Sequence, residues 1–106
     1  MSQIRIKVPE NAARDEIIEI KAMIAHAMES GYRRDNRGEA IPRNIITRFE
    51  CEYDGQTVFR ADFGPGVSAN PILTFYLRAR NSGPITFAWT EQGGEIFTDT
   101  RDIVVR

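Results

Sequence analysis

The sequence predicts an all-β fold: an immunoglobulin-like β-sandwich of about seven antiparallel strands, forming a single domain over residues 1–106. Three observations predict it. Apolar residues recur at every second position in run after run, which places them on one face of a strand. Turn residues punctuate these runs at short, regular intervals. No segment carries a convincing helical period, and the chain shows no internal repeat, low-complexity tract or linker.

The first strand runs through Ile4, Ile6 and Val8, with Arg5 and Lys7 opposite, and Pro9 closes it. From Glu16 to His26, Ile18, Ile20, Ala22, Ile24 and His26 alternate with Glu19, Lys21, Met23 and Ala25. Ala, Met, Glu and Lys are good helix formers. A helix, however, would scatter those inward residues around its axis, whereas a strand lines them up, so strand is favoured. The pattern stops between Met28 and Arg43, which carries four arginines among three acids, with Gly31, Gly38 and Pro42. Loops beyond about 12–15 residues are uncommon in compact domains and tend to be functional or disordered. Within this loop Asp35-Asn36-Arg37-Gly38 can close a tight hairpin.

Alternation resumes at Ile45, Thr47, Phe49, Cys51 and Tyr53 and ends at Asp54-Gly55, a hairpin signal, so Thr57 to Phe63 is the partner strand. Small residues from Gly64 to Pro71 make a crossover. Leu73, Phe75, Leu77 and Ala79 form the next inward set, opposite Thr74, Tyr76, Arg78 and Arg80, and Asn81 to Pro84 turns the chain back. Ile85, Phe87 and Trp89 follow, then a Gly93-Gly94 hairpin and a last strand from Glu95 to Val105. Trp89, Phe49, Phe75 and Phe87 are the large groups expected in the core, each contributing on the order of 1.5–3 kcal/mol on burial.

Composition narrows the function. With 42% hydrophobic residues, 27% charged residues and a net charge of -1, the chain is an ordinary globular domain, poorly suited to a phosphate backbone as its main partner. No apolar run approaches the roughly 18 residues of a membrane span. The start, Met1 to Glu10, does not read as a secretory signal, so export by its own leader is not expected. One cysteine, Cys51, and one histidine, His26, exclude an intramolecular disulfide and leave a zinc site to lean on carboxylates. No cofactor or metal is expected, and a nucleophile–histidine pair has no supporting signature. The expectation is a non-enzyme.

Cys51 lies on an apolar strand face between Glu50 and Glu52, where burial and acidic neighbours raise a thiol's pKa, so it reads as an inert core residue. His26, at the mouth of the long loop, reads as a partly buried imidazole bonded to loop backbone. Arg33, Arg34, Arg37 and Arg43 can form an anion or partner site or, interleaved with acids, a solvated surface. Arg78 and Arg80 beside Tyr76 are a better candidate for contact with an acidic partner. Met23, Tyr76 and Val58 point outward by alternation, and an apolar sheet face marks a protein interface. These features favour an interaction module over a catalyst.

The segment from His26 to Phe59, followed by Ser68-Ala69-Asn70-Pro71 and by Thr86 to Gly94, resembles the SoxZ family of the bacterial sulfur-oxidation (Sox) carrier complex. The similarity runs from Ile4-Arg5-Ile6-Lys7-Val8-Pro9 to the last strand. Its most specific pieces are His26, Met28-Glu29-Ser30-Gly31, Arg33, Ile41-Pro42-Arg43 and the Ser-Ala-Asn-Pro tetrapeptide. The family often has proline before Met28, where this chain has Ala27.

The resemblance implies a non-catalytic partner of SoxY, the subunit that carries the sulfur intermediate on a cysteine near its flexible C-terminus while Sox enzymes act on it. It also implies a periplasmic heterodimer reached by co-export with the twin-arginine-targeted SoxY; the near-neutral charge and the lack of a long apolar run add the expectation of no nucleic-acid or membrane partner. Met28, Glu29, Ser30, Gly31, Arg33, Pro42 and Arg43 are the expected partner-binding residues, Gly31 and Pro42 mainly by shaping the backbone. Isolated, the chain is a candidate homo-oligomer. Two other readings stand beside this one: a generic immunoglobulin-like binding module, and a thiol carrier using Cys51.

Overall fold

A computed structural model describes residues 3–106. Eight strands follow one another: β1 (Ile4–Lys7), β2 (Asn11–Ala12), β3 (Ile17–Ile24), β4 (Ile46–Tyr53), β5 (Gln56–Asp62), β6 (Ile72–Arg78), β7 (Gly83–Glu91) and β8 (Ile96–Val105). They form two sheets, ordered β1-β3-β6 and β2-β8-β7-β4-β5. The fold is the β-sandwich that the alternation predicts. Within the segment from 16 to 26, Ile17–Ile24 is strand rather than helix, since Ile18, Ile20, Ala22 and Ile24 all point into the core.

Two features differ from the expectation of seven antiparallel strands. Asn11 and Ala12 make a two-residue strand that pairs parallel with Val104 and Val105. Such a strand is too short to display a period, although Pro9 explains why the chain leaves β1 and crosses to the other sheet. In β4 the register shifts between Ile46 and Arg48. This irregularity changes the phase, so that Ile45 and Ile46 are both buried while Thr47, expected inward, is half-exposed and donates its hydroxyl to Thr90 O at 3.2 Å.

The turns follow their chemistry. Asp54 and Gly55 both have positive φ, 57° and 76°, as a two-residue type I′ loop between β4 and β5 requires. Gly94, at φ 98°, closes the β7–β8 hairpin, with Gly94 N donating to Glu91 O at 2.8 Å.

The core is aromatic. Phe49 lies 5.0 Å from Trp89 and 5.9 Å from Phe75, and Phe75 stacks on Phe59 at 4.3 Å. Phe75 belongs to the three-stranded sheet and the others to the five-stranded one, so these contacts join the two layers. Three strands cannot cover five. On β8 the inward row therefore includes Asp99 and Arg101, half-exposed and paired at 2.7 Å.

The molecule measures 58 × 22 × 19 Å with a radius of gyration of 16.1 Å, against roughly 13 Å for a compact domain of this length. Residues 28–43 account for the excess. They form an arm that leaves the sandwich at one end, with residues 32–40 all exposed.

Candidate functional site: the arm and its histidine base

The arm has its own backbone ladder. Glu29 and Asn44 exchange two hydrogen bonds at its base, Glu29 N to Asn44 O at 2.9 Å and Asn44 N to Glu29 O at 2.7 Å. Further out Ile41 N donates to Arg33 O and Asp35 N to Glu39 O, both at 2.9 Å. The tip is the hairpin that Asp35-Asn36-Arg37-Gly38 predicts: Gly38 sits at φ 80° and its N–H reaches Asp35 O at 3.0 Å. The Asp35 side chain accepts from Arg37 N and Glu39 N, an Asx-type closure. A segment with no hydrophobic period is thus held by backbone pairing and turn chemistry.

At the root of the arm, His26 joins three stretches of chain. Its Nδ1 accepts the N–H of Met28 at 2.9 Å, and its Nε2 donates to Glu91 Oε2 at 2.9 Å. An acceptor Nδ1 and a donor Nε2 define one neutral tautomer. Its backbone exchanges two bonds with Asn70: His26 N to Asn70 Oδ1 at 2.9 Å and Asn70 N to His26 O at 2.8 Å. Asn70 holds positive φ, 54°, which Asn tolerates better than most residues. Gln92 N donates to Ile45 O at 2.9 Å beside this node.

The partner-binding candidates fall into distinct places. Met28 is buried at positive φ (53°), and its Sδ accepts the N–H of Ile46 at 3.3 Å. Its side chain therefore packs the arm root and offers no surface, because the His26 ring pulls the Met28 backbone inward. Glu29 and Arg33 form a two-point ion pair, Nη2 to Oε1 at 2.6 Å and Nε to Oε2 at 3.1 Å. That pairing raises Arg33 and holds the Glu29 carboxyl below its usual range, with the side-chain hydrogen bonds as the main cause of each shift. Ser30 Oγ accepts from Tyr32 N at 3.4 Å. Gly31, at φ 93°, lies so close to Arg43 that an added Cβ would sit 3.2 Å from the Arg43 Cβ. Pro42 and Arg43 are exposed on the returning limb. Arg34 donates to Gly38 O at 2.8 Å, within the arm.

Cys51 is fully buried. Burial, with a smaller contribution from the Glu52 carboxylate, pushes its thiol up to about 12. Among the described residues no three His, Cys, Asp or Glu side chains cluster to hold a metal ion.

Sequence reasoning did not pick out Asn70 and Glu91 as one site with His26. They stand 44 and 65 residues from it, and only their occurrence in separate family-like segments signalled them. The structure brings those segments together.

The model of the family described as sulphur oxidation protein SoxZ matches residues 4–102. The chain belongs to the SoxZ family. Membership assigns it to the Sox sulfur-oxidation system. No curated protein matches the sequence. Among solved structures, a superoxide reductase (neelaredoxin) from Ignicoccus hospitalis shares 20% identity over 97% of this chain and 80% of that one, with a TM-score of 0.74. The sulfur carrier protein SoxY from Chlorobium limicola f thiosulfatophilum shares 15% over 97% and 78%, with a TM-score of 0.69. The CARDB domain of the PF1109 protein from Pyrococcus furiosus, in complex with di-metal ions, shares 15% over 100% and 88%, with a TM-score of 0.57. At these identities the likeness is one of fold.

Proposed function

We propose that this SoxZ-family chain is a non-catalytic subunit that binds SoxY and helps to present the SoxY-bound sulfur intermediate to the enzymes of thiosulfate oxidation. The observation that carries this reading is the arm: a projecting, internally bonded segment fixed to a rigid sandwich through His26. An arm ordered before binding loses less conformational entropy on docking, which favours recognition. Glu29, Ser30, Arg33, Pro42 and Arg43 supply its contact surface, Gly31 lets the two limbs approach, and Met28 anchors the root.

The site of action in this reading is the periplasm, reached by co-export with SoxY. Fractionation of cells that express SoxY with and without a functional twin-arginine signal tests it: the chain follows SoxY in the first case and stays in the cytoplasm in the second.

Charge reversal at Arg33 and Arg43 tests the arm. Weakened binding of SoxY, or of an enzyme that acts on SoxY, supports the proposal. Unchanged affinity for both overturns it. The reading as a thiol carrier is disfavoured by the burial and raised pKa of Cys51. A generic binding module predicts no preference for SoxY over an unrelated β-sandwich.

A further inference from the structure

The outer face of the three-stranded sheet is not used by the arm, and its composition is unlike that of the chain as a whole. Strand register lays its residues out in rows: Arg5, Met23 and Ile72; Lys7, Lys21 and Thr74; Glu19 and Tyr76; Ile17 and Arg78. Four of these are cations and one, Glu19, is a carboxylate, in a protein whose net charge is -1. Glu19 lies 3.8 Å from Lys21 and accepts the Tyr76 hydroxyl at 3.2 Å. Arg5 and Lys7 have no carboxylate partner among the described residues. The apolar members are unusually open, with Ile72 63% and Ile17 52% exposed.

One end of the face is shaped. A shallow depression of about 250 Å³ is lined by Arg5, Lys7, Lys21, Met23 and Ile72, together with Ile6 and Ala22. Its floor is apolar and its rim cationic. An apolar side chain fits the floor, and carboxylates on either side of it would meet Arg5, Lys7 and Lys21. A second copy docked face to face through a two-fold axis would set these cations against one another, so the same charges that attract an acidic partner discourage a homodimer here.

We infer that this face is a docking surface for a protein segment that carries an apolar anchor flanked by acidic residues, and that it is separate from the arm.

The probe is a synthetic peptide with a central Leu and two Glu on each side, titrated into the full chain while backbone amide NMR shifts are followed. The expected result is a set of shifts centred on Arg5, Lys21, Met23 and Ile72. Affinity should fall several-fold in R5E/K21E and in I72S, and collapse in about 1 M salt, where screening acts within roughly 3 Å. A peptide with Lys in place of Glu should give no shifts. All the substituted positions are exposed or half-buried on one face, and an unchanged thermal melt checks that the fold survives; should R5E/K21E perturb it, R5Q/I72S gives the same readout.

Several results overturn the inference. One is the absence of shifts at the face, and another is binding that neither R5E/K21E nor I72S weakens. A third is tighter, R5E/K21E-sensitive binding to phosphatidylglycerol vesicles, which would assign the face to a lipid surface. The last is concentration-dependent self-association that R5E/K21E abolishes, which would assign it to a second copy. The peptide involves neither SoxY nor the arm, so failure here leaves the arm reading standing.

Discussion

His26 Nε2 donates to Glu91 Oε2 at 2.9 Å, linking residues 65 apart in the chain, and the opposite ring nitrogen of the same imidazole accepts the first N–H of the arm. The His26 side chain is 6% exposed. It therefore performs, in a nearly dry setting, the positioning that backbone pairing performs elsewhere in the sandwich.

Replacing His26 with Ala leaves the Met28 N–H and the Glu91 carboxylate without these partners. The expected loss is roughly 1–3 kcal/mol in urea unfolding. Hydrogen exchange at Met28, Glu29 and Asn70 should accelerate more than exchange in β7, because the arm root opens before the sheet does.

Asn70 combines two requirements that substitutions can separate. Asn70→Gly keeps the left-handed backbone and loses the side-chain acceptor for His26 N, costing roughly 0.5–1.5 kcal/mol. Asn70→Ala loses the same acceptor and, unlike Gly, keeps a Cβ in that conformation without the polar side chain that lets Asn tolerate it, so it should cost about 1 kcal/mol more. Chemical denaturation of both variants checks the ordering.

Cys51 should be silent in the folded protein. At neutral pH a thiol reagent should modify it only after denaturation, and exposure to thiosulfate should add no mass. Its pKa is raised from 9.0 to about 12, so the unfolded chain releases this proton first as pH rises. The stabilising preference for the protonated thiol is present below pH 9.0 and is lost between there and about 12. The stability difference between the wild type and C51A should narrow over that window.

The Glu29–Arg33 pair gives the opposite dependence. Arg33 holds the Glu29 carboxyl below its ordinary 4.5, so the pair's contribution is present above pH 4.5 and disappears as pH falls through the lowered value. Arg33 is exposed and Glu29 half-buried at the arm base, so the effect is local. NMR titration should show Glu29 protonating below the exposed glutamates, and R33Q should return it to the ordinary range.

Strand by strand, the local pattern was strong where one face is buried. Ile18, Ile20, Ala22 and Ile24, or Ile85, Phe87 and Trp89, alternate because a two-residue period is the only one that keeps a strand's apolar side chains together. The hairpins at Asp54-Gly55 and at Gly93-Gly94 were equally legible, since positive φ favours few residue types. The irregular β4 start escaped notice because Ile45 and Ile46 are adjacent apolar residues that either phase accommodates. In the arm only the Asp35–Gly38 hairpin is legible, because the rest of its order comes from backbone bonds, which leave no trace in side-chain polarity.

The partner-binding candidates illustrate the same boundary. Spacing and family likeness marked the segment from Met28 to Arg43, yet neither distinguishes a side chain that points out, such as Arg43, from one that turns in, such as Met28. That distinction depends on the His26 ring, and the ring's orientation depends on Glu91 and Asn70.

By itself, then, the amino-acid order determined seven of the eight strands, most of their inward faces, the tight turns and the family, all of which are written in near-neighbour periodicity and short motifs. Tertiary structure alone decided the division of eight strands into sheets of three and five, the meeting of His26 with Asn70 and Glu91, and the basic outer face that sets Arg5 beside Met23 and Ile72. These are contacts across tens of residues. They arise when separate strands bury a common core, and no local period encodes which strand lies next to which.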